Sequence, residues 1–479
     1  MLEQELEQSL DENFRNSIGT MTKTGVRKWV YPKKPKGKFT NYRTILSWIL
    51  LAIFFLTPFI KLPNGNPLFK FDVLNTEFIL FGFPFFTSDF FLLAIGMLTT
   101  VFFIVIFTNI YGRIFCGWLC PQTIFLEMVF RKIEYAIEGD RAKQIRLDKQ
   151  EWNQEKIIKK GSKWTIYLLI SIIVAHVFIA YIIGSEELIN IIKQGPIENS
   201  GILITMLTVG GGFLFVFSWF REQACTLVCP YGRFQGVLID KKSIMVSYDY
   251  KRGESKNGRS KFKKTEDRNA LGIGDCIDCH QCVAVCPTGI DIRNGSQLEC
   301  VGCTACIDAC DEIMVKIDKP KGLIRYASEE QIVSSEKFRF TPKIVAFSLL
   351  LIVFVGITTS FILNRSNVEG RFFQMTGKDY QIENNYIMNY YRFNLINKTN
   401  QNQKVRIKIS SHKNAKTELI NESQLIDLQK AELKQGSMKV MIPKNEVHSY
   451  KEKIEFELVD QNNQKIDHFT SSFSAPFVQ

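Results

Sequence analysis

Five apolar stretches, each about twenty residues long, constrain the fold of this chain more than any other feature. A helix of about that length crosses the hydrocarbon core of a bilayer, and its backbone polar groups are satisfied within the helix. The composition agrees, since 46% of the residues are hydrophobic and 39 are Phe. We therefore predict a multi-pass α-helical membrane protein, with membrane helices at roughly 44–62, 88–111, 164–184, 201–220 and 342–363.

Two of these helices contain residues that fit a membrane poorly. Gly210, Gly211 and Gly212 interrupt the fourth helix, and adjacent glycines lower helix propensity while allowing a neighbouring helix to approach closely. His176 is the only His in a predicted membrane helix. Polar groups there are costly and often functional, but bis-His haem ligation needs a second His. We expect a hydrogen-bonded packing role for His176, with metal ligation as the alternative.

The charges of the loops predict the orientation of the chain. Ten Lys or Arg lie between Arg131 and Lys163, whereas residues 185–200 contain one Lys and three Glu. Because Lys and Arg accumulate on the cytoplasmic side, the N-terminus, the 112–163 loop and the 221–341 loop are predicted to be cytoplasmic. Five crossings then place the C-terminal segment outside.

The basic composition has two possible explanations. A net charge of +12 fits a nucleic-acid-binding protein or a membrane protein with basic cytoplasmic loops. The sequence has no RNA-binding motif and no basic patch interleaved with aromatic residues, so we expect no nucleic-acid partner. The first forty or so residues are polar and charged, which argues against a cleavable signal peptide. The first apolar stretch is then expected to act as the membrane signal.

The cysteines predict a metal site. All twelve lie between Cys116 and Cys310, which does not suit a disulfide-rich secreted protein and favours metal ligation. Two runs share the spacing C-x2-C-x2-C-x3-C. The first run is Cys276, Cys279, Cys282 and Cys286, followed by Pro287, and the second is Cys300, Cys303, Cys306 and Cys310.

This spacing is typical of bacterial-type ferredoxins. A [4Fe–4S] cubane takes three thiolates from one tight loop and a fourth from the other run. We therefore predict an inserted, ferredoxin-like α+β domain that holds two [4Fe–4S] clusters. The first cluster is assigned to Cys276, Cys279, Cys282 and Cys310, and the second to Cys286, Cys300, Cys303 and Cys306.

Zinc is the alternative metal for these eight cysteines. Zinc sites take four ligands in pairs, and three cysteines at two-residue spacing followed by a fourth do not match that pattern. The chain departs from the ferredoxin pattern at one position, because Asp311 rather than Pro follows the second run. We expect Asp311 to alter the local turn and the charge near one cluster without removing a ligand.

Four further cysteines form two matched C-x3-C-P motifs. Cys116 and Cys120 follow the second predicted helix, and Cys225 and Cys229 follow the fourth. Positions four apart lie on one face of a helix, although the following Pro makes a turn equally compatible. The repetition predicts two similarly built halves that bring four thiols together at the cytoplasmic membrane face.

Three roles are open to these four thiols. They can bind a soft metal such as Cu(I), zinc or an iron–sulfur cluster, act as redox-active thiols, or pack as small apolar groups. The matched spacing favours metal or redox use, which makes them candidate catalytic residues. Arg113 and Arg221 flank the pairs. We expect both to snorkel to the headgroups and to lower the pKa of the nearby thiols.

The C-terminal segment differs in composition from the rest of the chain. It is polar, rich in Asn, Lys and Gln, and free of Cys. Alternation with period 2 between turn-forming residues predicts a β-sandwich rather than a disordered tail. The alternating runs are Tyr391–Ile396, Val405–Ile409, Met438–Ile442 and Ile454–Val459.

With these motifs, the chain resembles the cytochrome c oxidase accessory protein family, also called the FixG/RdxA or CcoG family. The resemblance covers the chain from about residue 25 to the end. In the first part it rests on Gly112-Arg113, Cys116-Gly-Trp, Cys120-Pro-Gln-Thr and Glu138-Gly-Asp-Arg141. Further along, it rests on Arg221-Glu-Gln-Ala-Cys225, Cys229 through Gln235, Gly274 through Asp311, Asn385-Tyr386 and Asn397-Lys398.

The resemblance implies an immunoglobulin-like C-terminal domain and a bacterial inner membrane location. It further implies a role in assembling a cbb-type haem–copper oxidase, in which electrons pass through the clusters and reduce Cu(II) to Cu(I). The implied activity is that of a cupric reductase or an electron carrier, and oxidase subunits or copper chaperones are the implied partners. A [4Fe–4S] cluster transfers one electron, Cu(II) needs one, and thiolates stabilise Cu(I). The resemblance does not identify the electron donor.

Two other functions compete with copper reduction. The chain is also compatible with a quinone-linked electron-transfer subunit for a partner reductase, and with an assembly scaffold whose clusters are structural. The C-terminal domain favours assembly roles, and the membrane-edge cysteines favour redox roles.

The sequence thus predicts five consecutive segments. They are a cytoplasmic basic arm at 1–43, four transmembrane helices at 44–240, a cytoplasmic dicluster domain at 241–341, a fifth transmembrane helix at 342–363 and an outer immunoglobulin-like domain at 365–479.

Overall fold

The structure is a computed structural model of the chain. Most of the predicted basic arm at 1–43 lies outside the described residues. The structure describes residues 20, 27–63, 65–72, 77–85, 89–195, 198–263, 266–334, 342–375, 380–399, 401–420, 423–430 and 432–476.

In the described residues, five helices are long and apolar enough to cross a membrane, which confirms the predicted number by length and composition. The third begins at Gln154, earlier than predicted, because the charged residues before the apolar stretch are helical as well. The five spans are Lys38–Phe59, Phe90–Tyr111, Gln154–Ile183, Ser200–Phe220 and Ile344–Leu363.

The glycines of the fourth membrane helix do not interrupt it. The α-helix Ser200–Phe215 passes through all three and continues as a π-helical turn at Val216–Phe220. A Cβ built on Gly210 would lie 3.6 Å from the Cβ of Ala175 in the third membrane helix. The prediction of an interruption was wrong, whereas the predicted close approach of a neighbouring helix is present at Gly210.

The chain divides into two compact units. The first contains residues 1–56, 97–179 and 188–355, and the second contains residues 57–96, 180–187 and 356–479. All twelve cysteines belong to the first unit. Four of the five membrane helices in the described residues have residues in both units, so this division does not follow the order of the chain.

The first unit also contains many short elements. A two-stranded antiparallel sheet pairs Met245–Tyr248 with Ile324–Ala327. Three π-helical turns lie at Phe125–Phe130, Val216–Phe220 and Ala224–Val228. The short helices are Ile114–Trp118, Pro121–Ile124, Arg131–Ile137, Arg141–Lys149, Pro230–Leu238, Tyr250–Glu254, Gln281–Ala284, Ala305–Lys316 and Glu329–Ser334, and a further helix, Ser185–Gln194, has residues in both units.

Asp308 joins the second cysteine run to the first membrane helix. Its carboxylate accepts hydrogen bonds from the backbone N–H groups of Phe39 (3.1 Å) and Thr40 (2.7 Å) and from the Thr40 hydroxyl (2.7 Å). The first N–H groups of a helix have no partner within it, and a carboxylate there also suits the helix dipole. The helix Ala305–Lys316, which contains Asp308, therefore caps the membrane helix that begins at Lys38.

The second unit contains two antiparallel sheets that share one hydrophobic core. All four predicted alternating runs lie in strands. One sheet has the order Lys416–Ile420, Leu433–Pro443, Tyr386–Asn397 and Val368–Gln374, with Gln381–Glu383 paired to Tyr386–Asn397. The other has the order Ile426–Leu428, Gln403–Ile409, Lys451–Val459 and Lys465–Ser474. Because side chains alternate between faces, every second residue enters the core, including the fully buried Phe393, Val405 and Phe456.

Asp89 links the start of the second membrane helix to these sheets within the second unit. Its carboxylate forms ion pairs with Lys398 (2.5 Å) and Arg365 (2.6 Å). Both Asp89 and Lys398 are less than a tenth exposed. A small sheet of three strands, Phe69–Asp72, Glu77–Leu80 and Phe83–Phe85, completes this unit.

Candidate metal centre

Eight cysteines line two neighbouring cavities in the first unit. We call them site A, formed by Cys276, Cys279, Cys282 and Cys310, and site B, formed by Cys286, Cys300, Cys303 and Cys306. In each site, three cysteines of one run meet one cysteine of the other run, which is the crossed arrangement that a two-cluster ferredoxin uses. Cys282 lines both cavities and so lies in the wall between them.

Site A is shaped by Arg293. Its guanidinium donates to Asp291 (2.8 and 2.5 Å), lies 2.8 Å from Nδ1 of His280, and also donates to Asp278. Asp278 and His280 flank Cys279 and have positive φ, 52° and 53°, a conformation that costs energy in non-glycine residues. Arg293 therefore holds the strained loop that directs three thiols towards one cavity.

Site B is shaped by backbone N–H groups and by glycine. The Gly302 N–H donates to the Cys300 sulfur and the Ala305 N–H donates to the Cys303 sulfur. Gly302 has a φ of +68°, which glycine adopts without strain. Such N–H···S bonds stabilise thiolates and the clusters they hold.

The donor chemistry of both sites fits an iron–sulfur cluster. Burial raises the pKa of Cys282 to about 12, although the charge of the nearby Arg293 lowers it. Burial likewise raises the pKa of Cys300 to about 11 and that of Cys303 to about 12. Thiolates so disfavoured by burial require cations, and Ile, Val and Leu side chains around both cavities exclude water.

The two cysteine runs end differently, as the sequence predicts. Pro287 follows Cys286 just beyond the short helix Gln281–Ala284. Asp311 instead lies inside the helix Ala305–Lys316, where its carboxylate accepts from the Gly322 N–H at 2.8 Å. Asp311 therefore extends a helix rather than altering a turn, and its charge raises the pKa of the Cys310 thiol, which burial raises first.

The membrane-edge cysteines, Cys116, Cys120, Cys225 and Cys229, come together in the first unit, and we call them the thiol site. Besides burial, the charge of each of the other three cysteines raises the pKa of the Cys225 thiol, which shows that the four lie close together. Cys120 and Cys229 each precede a Pro that begins a new helix, Pro121–Ile124 and Pro230–Leu238. The sequence left open whether each C-x3-C-P motif forms one continuous helix or a turn. The structure shows a turn before each Pro, because Pro is favoured at the first position of a helix.

The thiol site includes a residue that the sequence analysis did not single out. The Cys116 sulfur donates to Oε1 of Gln235 at 3.1 Å. Gln235 is fully buried, and its Nε2 has no hydrogen-bond partner among the described atoms. The signal was present in the Cys229 to Gln235 stretch that carries the family resemblance, but nothing in its spacing distinguishes Gln235.

The predicted roles of Arg113 and Arg221 were wrong. Both side chains are buried, with 8% and 2% of the residue exposed, so neither snorkels. Arg113 donates to the backbone carbonyls of Leu298 and Gly232, and Arg221 pairs with Glu134. They act as internal crosslinks, because folding places backbone carbonyls and a carboxylate where the sequence analysis expected lipid headgroups.

The prediction that these arginines lower the thiol pKa was also wrong in its net effect. Burial raises the pKa of Cys116 to about 12, outweighing Arg113, which lowers it. Burial raises the pKa of Cys225 to about 12 as well, and the neighbouring cysteines add to that effect. Desolvation exceeds the charge interaction because both thiols are largely removed from water.

The spacing of the thiols does not match a single metal ion. Within the described ranges, no three His, Cys, Asp or Glu side chains are placed to hold one ion. A [4Fe–4S] cubane takes four thiols on four separate irons, which calls for wider spacing than a single ion, so this result is compatible with clusters at sites A and B.

A network of buried charges supports the second C-x3-C-P motif. Arg221 has a φ of 54° immediately after the π-helical turn at Val216–Phe220. Glu134 pairs with it, and although burial raises the pKa of Glu134, Arg221 and Lys163 together hold that pKa below its usual value. Arg131 pairs with Glu222 and donates to the Pro287 carbonyl at 3.2 Å. The network therefore connects the thiol site to the loop that follows Cys286.

Arg43 and His176 complete the candidate residues. Arg43 lies near the start of the first membrane helix, is 5% exposed, and donates from Nε to the Gly117 carbonyl at 2.7 Å. Arg43 precedes the predicted apolar stretch at 44–62, and the sequence analysis did not single it out. His176 Nδ1 lies 2.8 Å from the Ile172 carbonyl one turn earlier, which agrees with the predicted hydrogen-bonded packing role.

Three family models match the chain. A 4Fe-4S dicluster domain matches residues 220–329, which contain sites A and B together with Cys225 and Cys229. A 4Fe-4S binding domain matches residues 93–137, which contain Cys116 and Cys120. The model of the immunoglobulin-like fold at the C-terminus of FixG matches residues 358–476.

Curated relatives agree with these models. The chain is 36% identical over 327 residues to protein RdxA of Cereibacter sphaeroides, covering 66% of this chain and 65% of RdxA. It is 34% identical over 311 residues to nitrogen fixation protein FixG of Rhizobium meliloti, covering 63% of this chain and 57% of FixG. It is 36% identical over 305 residues to protein RdxB of Cereibacter sphaeroides, covering 63% of this chain and 62% of RdxB. The matches thus span less than two thirds of each relative's length, and together with the three domain models they support the FixG/RdxA family for this chain.

Proposed function

We propose that this chain is a membrane-bound iron–sulfur electron-transfer protein that reduces Cu(II) to Cu(I) for the copper site of a cbb-type cytochrome c oxidase. The observation that carries the electron-transfer part is the pair of cavities, each lined by four cysteines and separated by Cys282. Two redox sites that share a wall suit the passage of single electrons. The copper substrate is proposed from the family resemblance.

In this proposal, sites A and B each hold one [4Fe–4S] cluster through their four cysteines. When bound, a cluster supplies one-electron chemistry. The protein residues hold the thiols in place, through Arg293 at site A and the Gly302 and Ala305 N–H groups at site B. The apolar lining excludes water, and each Cu(II) that gains one electron becomes Cu(I) without transfer of an atom.

The thiol site is proposed to bind the copper. Thiolates favour Cu(I) over Cu(II), so coordination by Cys116, Cys120, Cys225 and Cys229 stabilises the reduced product. Gln235 holds the Cys116 side chain in place through the 3.1 Å contact. Copper binding requires the thiols to close around the ion, because in the described residues no three of them are spaced for one.

One preparation tests both parts of the proposal. The protein is purified anaerobically, analysed for iron and sulfide, and mixed with Cu(II) after reduction by dithionite and removal of the excess. We expect about eight irons per chain, the EPR signals of reduced cubanes, and stoichiometric Cu(I) captured by a chromogenic chelator. Two bound zincs without a cluster signal would contradict the iron–sulfur assignment, and clusters that Cu(II) does not oxidise would contradict the copper assignment.

The proposed location is a bacterial inner membrane with both cluster sites in the cytoplasm and the C-terminal domain outside. The excess of Lys and Arg between Arg131 and Lys163 supports this orientation. Oxidase subunits and copper chaperones are the proposed partners of the outer domain. Reporter fusions after Arg365 and within residues 240–340 test the orientation, and activity of both on the same side contradicts it.

A quinone-linked electron-transfer subunit is the second candidate function. A cavity of about 460 Å³ beside site B is lined by Cys300, by Tyr111 at the end of the second membrane helix, and by Arg113, Met245 and Tyr326. Its size is within the range of small-molecule sites, and it adjoins both a proposed ligand and a membrane helix. Reoxidation of the reduced protein by a short-chain quinone at a rate exceeding that with Cu(II) supports this function over the first.

A further inference from the structure

Sites A and B differ in the charges around them and in their contacts with the thiol site. We infer that site B has the higher reduction potential and is the exit from which an electron reaches the thiol site, with Arg43 and Arg113 as the positioning residues that establish this order. The order of potentials follows from the buried charges, whereas the exit towards copper rests on the proposed function.

Carboxylates surround site A. Two buried cations lie at site A: Arg293 is neutralised by Asp291 and Asp278, with which it forms ion pairs, whereas Arg268 donates to the Cys276 carbonyl at 3.0 Å. Asp311 follows Cys310 immediately in the helix Ala305–Lys316 and adds a third carboxylate near site A. Because reduction adds one negative charge to a cluster, neighbouring carboxylates make reduction less favourable.

Cations surround site B. Arg113 and Cys300 line the same cavity, and Arg43 donates to the carbonyl of Gly117, which packs against Gly302 between Cys300 and Cys303. Both arginines have backbone carbonyls as partners, Gly117 for Arg43 and Leu298 and Gly232 for Arg113. In the described part of the chain, neither has a carboxylate within ion-pair distance, and Nη2 of Arg43 has no hydrogen-bond partner.

These two charges are poorly screened. Arg43 and Arg113 are 5% and 8% exposed, and charges in a buried environment interact far more strongly than charges in water. Glu299 opposes Arg113 at Cys300, but more weakly. The added electron is therefore more stable at site B than at site A.

Site B also touches the loop that carries Cys116. A Cβ built on Gly117 would lie 2.7 Å from the Gly302 carbonyl carbon and oxygen and 2.7 Å from the Val301 oxygen. No side chain fits there, so the backbone after Cys116 lies directly against the backbone between Cys300 and Cys303. Nε1 of Trp118 adds a second link by donating to the Tyr326 hydroxyl at 3.1 Å.

The electron balance is simple. One electron leaves site A, which is oxidised by one unit, and enters site B, which is reduced by one unit. The same electron then crosses the contact between Gly302 and Gly117 and converts one Cu(II) at the thiol site to Cu(I). No bond within the protein forms or breaks.

The order of potentials is tested by an anaerobic redox titration followed by EPR. We expect two midpoint potentials. Arg43→Gln should lower only the higher potential and so reduce the difference between the two. Arg43→Lys keeps the positive charge and should retain most of the original midpoint. A Cys279→Ser variant, altered at the exposed ligand of site A, identifies the remaining signal as site B, which should be the higher of the two. A lowered midpoint at the other site, or an equal shift at both, overturns the inference.

The exit is tested with Gly117→Ala, whose methyl group must push the two loops apart. Gly161→Ala is the matched control, since a Cβ at Gly161 meets nothing within 4 Å. With both EPR signals and midpoints retained, we expect Gly117→Ala to transfer electrons to Cu(II) about tenfold more slowly or worse, because small displacements of reacting groups are costly.

The outcomes separate the inference from the proposed function. If the wild-type protein reduces Cu(II) and Gly117→Ala does so at the same rate with intact clusters, the exit is wrong and the function stands. If the wild-type protein does not reduce Cu(II) but Arg43→Gln still lowers the higher midpoint alone, the function is wrong and the order of potentials stands. If Gly117→Ala loses iron, Trp118→Phe replaces it as the test variant, and an unchanged rate in that variant with intact clusters contradicts the exit.

Discussion

The dicluster segment and the thiol site are both built from regularly spaced cysteines, but their geometry has different origins. In the dicluster segment, the two-residue spacers themselves bend the loop, and only the fourth cysteine of each site comes from the other run. In the thiol site, each pair is split between two helices by a Pro. Its geometry therefore depends on contacts made far along the chain, by Arg113, Gln235 and the ion pair of Arg221 with Glu134.

The comparison shows that two sets of regularly spaced cysteines can depend to different degrees on contacts with the rest of the chain. Five of the eight cysteines of sites A and B pack into one hydrophobic core with Tyr248, Met314 and Leu323. The thiol-site cysteines are instead only partly buried, and Gln235, which accepts from Cys116, keeps Nε2 without a partner among the described atoms. We expect loss of a cluster ligand to disturb the fold of the dicluster segment, and loss of a thiol-site cysteine to remove function while sparing the fold.

The largest expected effect follows from Cys303→Ser. Serine is a poor ligand for iron, and the buried cavity would be left with one fewer soft donor. We expect iron to fall from about eight to about four per chain or less, with reduced yield of folded protein. Iron and sulfide analysis of anaerobically purified protein measures this, and retention of the full iron content would falsify the assignment of Cys303 to site B.

The double variant Cys116→Ser, Cys225→Ser makes the same kind of substitution at the thiol site, where we expect the opposite result. We expect membrane insertion and iron content like those of the wild type, with loss of copper binding and of Cu(II) reduction, because serine does not stabilise Cu(I). Equilibrium dialysis with Cu(I) and the reduction assay provide the two measurements. Copper reduction at the wild-type rate with both clusters present would return the four cysteines to a packing role.

Arg221→Met sharpens the comparison by removing a support of the thiol site without touching a cysteine. It leaves Glu134 buried without its main partner, which is expected to cost about 3–5 kcal/mol of stability. Thermal unfolding in detergent measures the change. Lys316→Met is the control, because the Lys316 pair with Glu312 is exposed and should matter by less than about 1 kcal/mol.

The smallest expected effect concerns the link between the dicluster segment and the first membrane helix. Asp308→Ala removes the cap of the first membrane helix and should cost about 1 kcal/mol, with iron content unchanged. The same unfolding assay detects it, with Asp318→Ala as a control outside this cap. A loss of iron in Asp308→Ala would show that the cap also maintains site B.

Much of the architecture was predictable from local patterns. Apolar length predicted the five membrane helices, since a bilayer imposes a minimum span, and alternation predicted the strands at Tyr391–Ile396 and Ile454–Val459. The prediction that the glycines at 210–212 interrupt the fourth helix was wrong, because helix propensity is a weak preference that packing overrides. The arginine predictions failed because whether a cation reaches lipid or a buried carboxylate depends on residues such as Glu134, which lies 87 positions from Arg221.

The sequence by itself determined the membrane helices, the pairing of the two cysteine runs and the presence of two matched thiol motifs, because each depends on spacing along a short stretch of chain. Only the tertiary structure decided that Arg293 holds site A, that Arg43 and Arg113 lie beside site B, and that Gly117 touches Gly302. The physical reason is that charge and close approach depend on distance in space. Residues that are far apart in the chain, such as Arg43 and Cys303, reveal that distance only after folding.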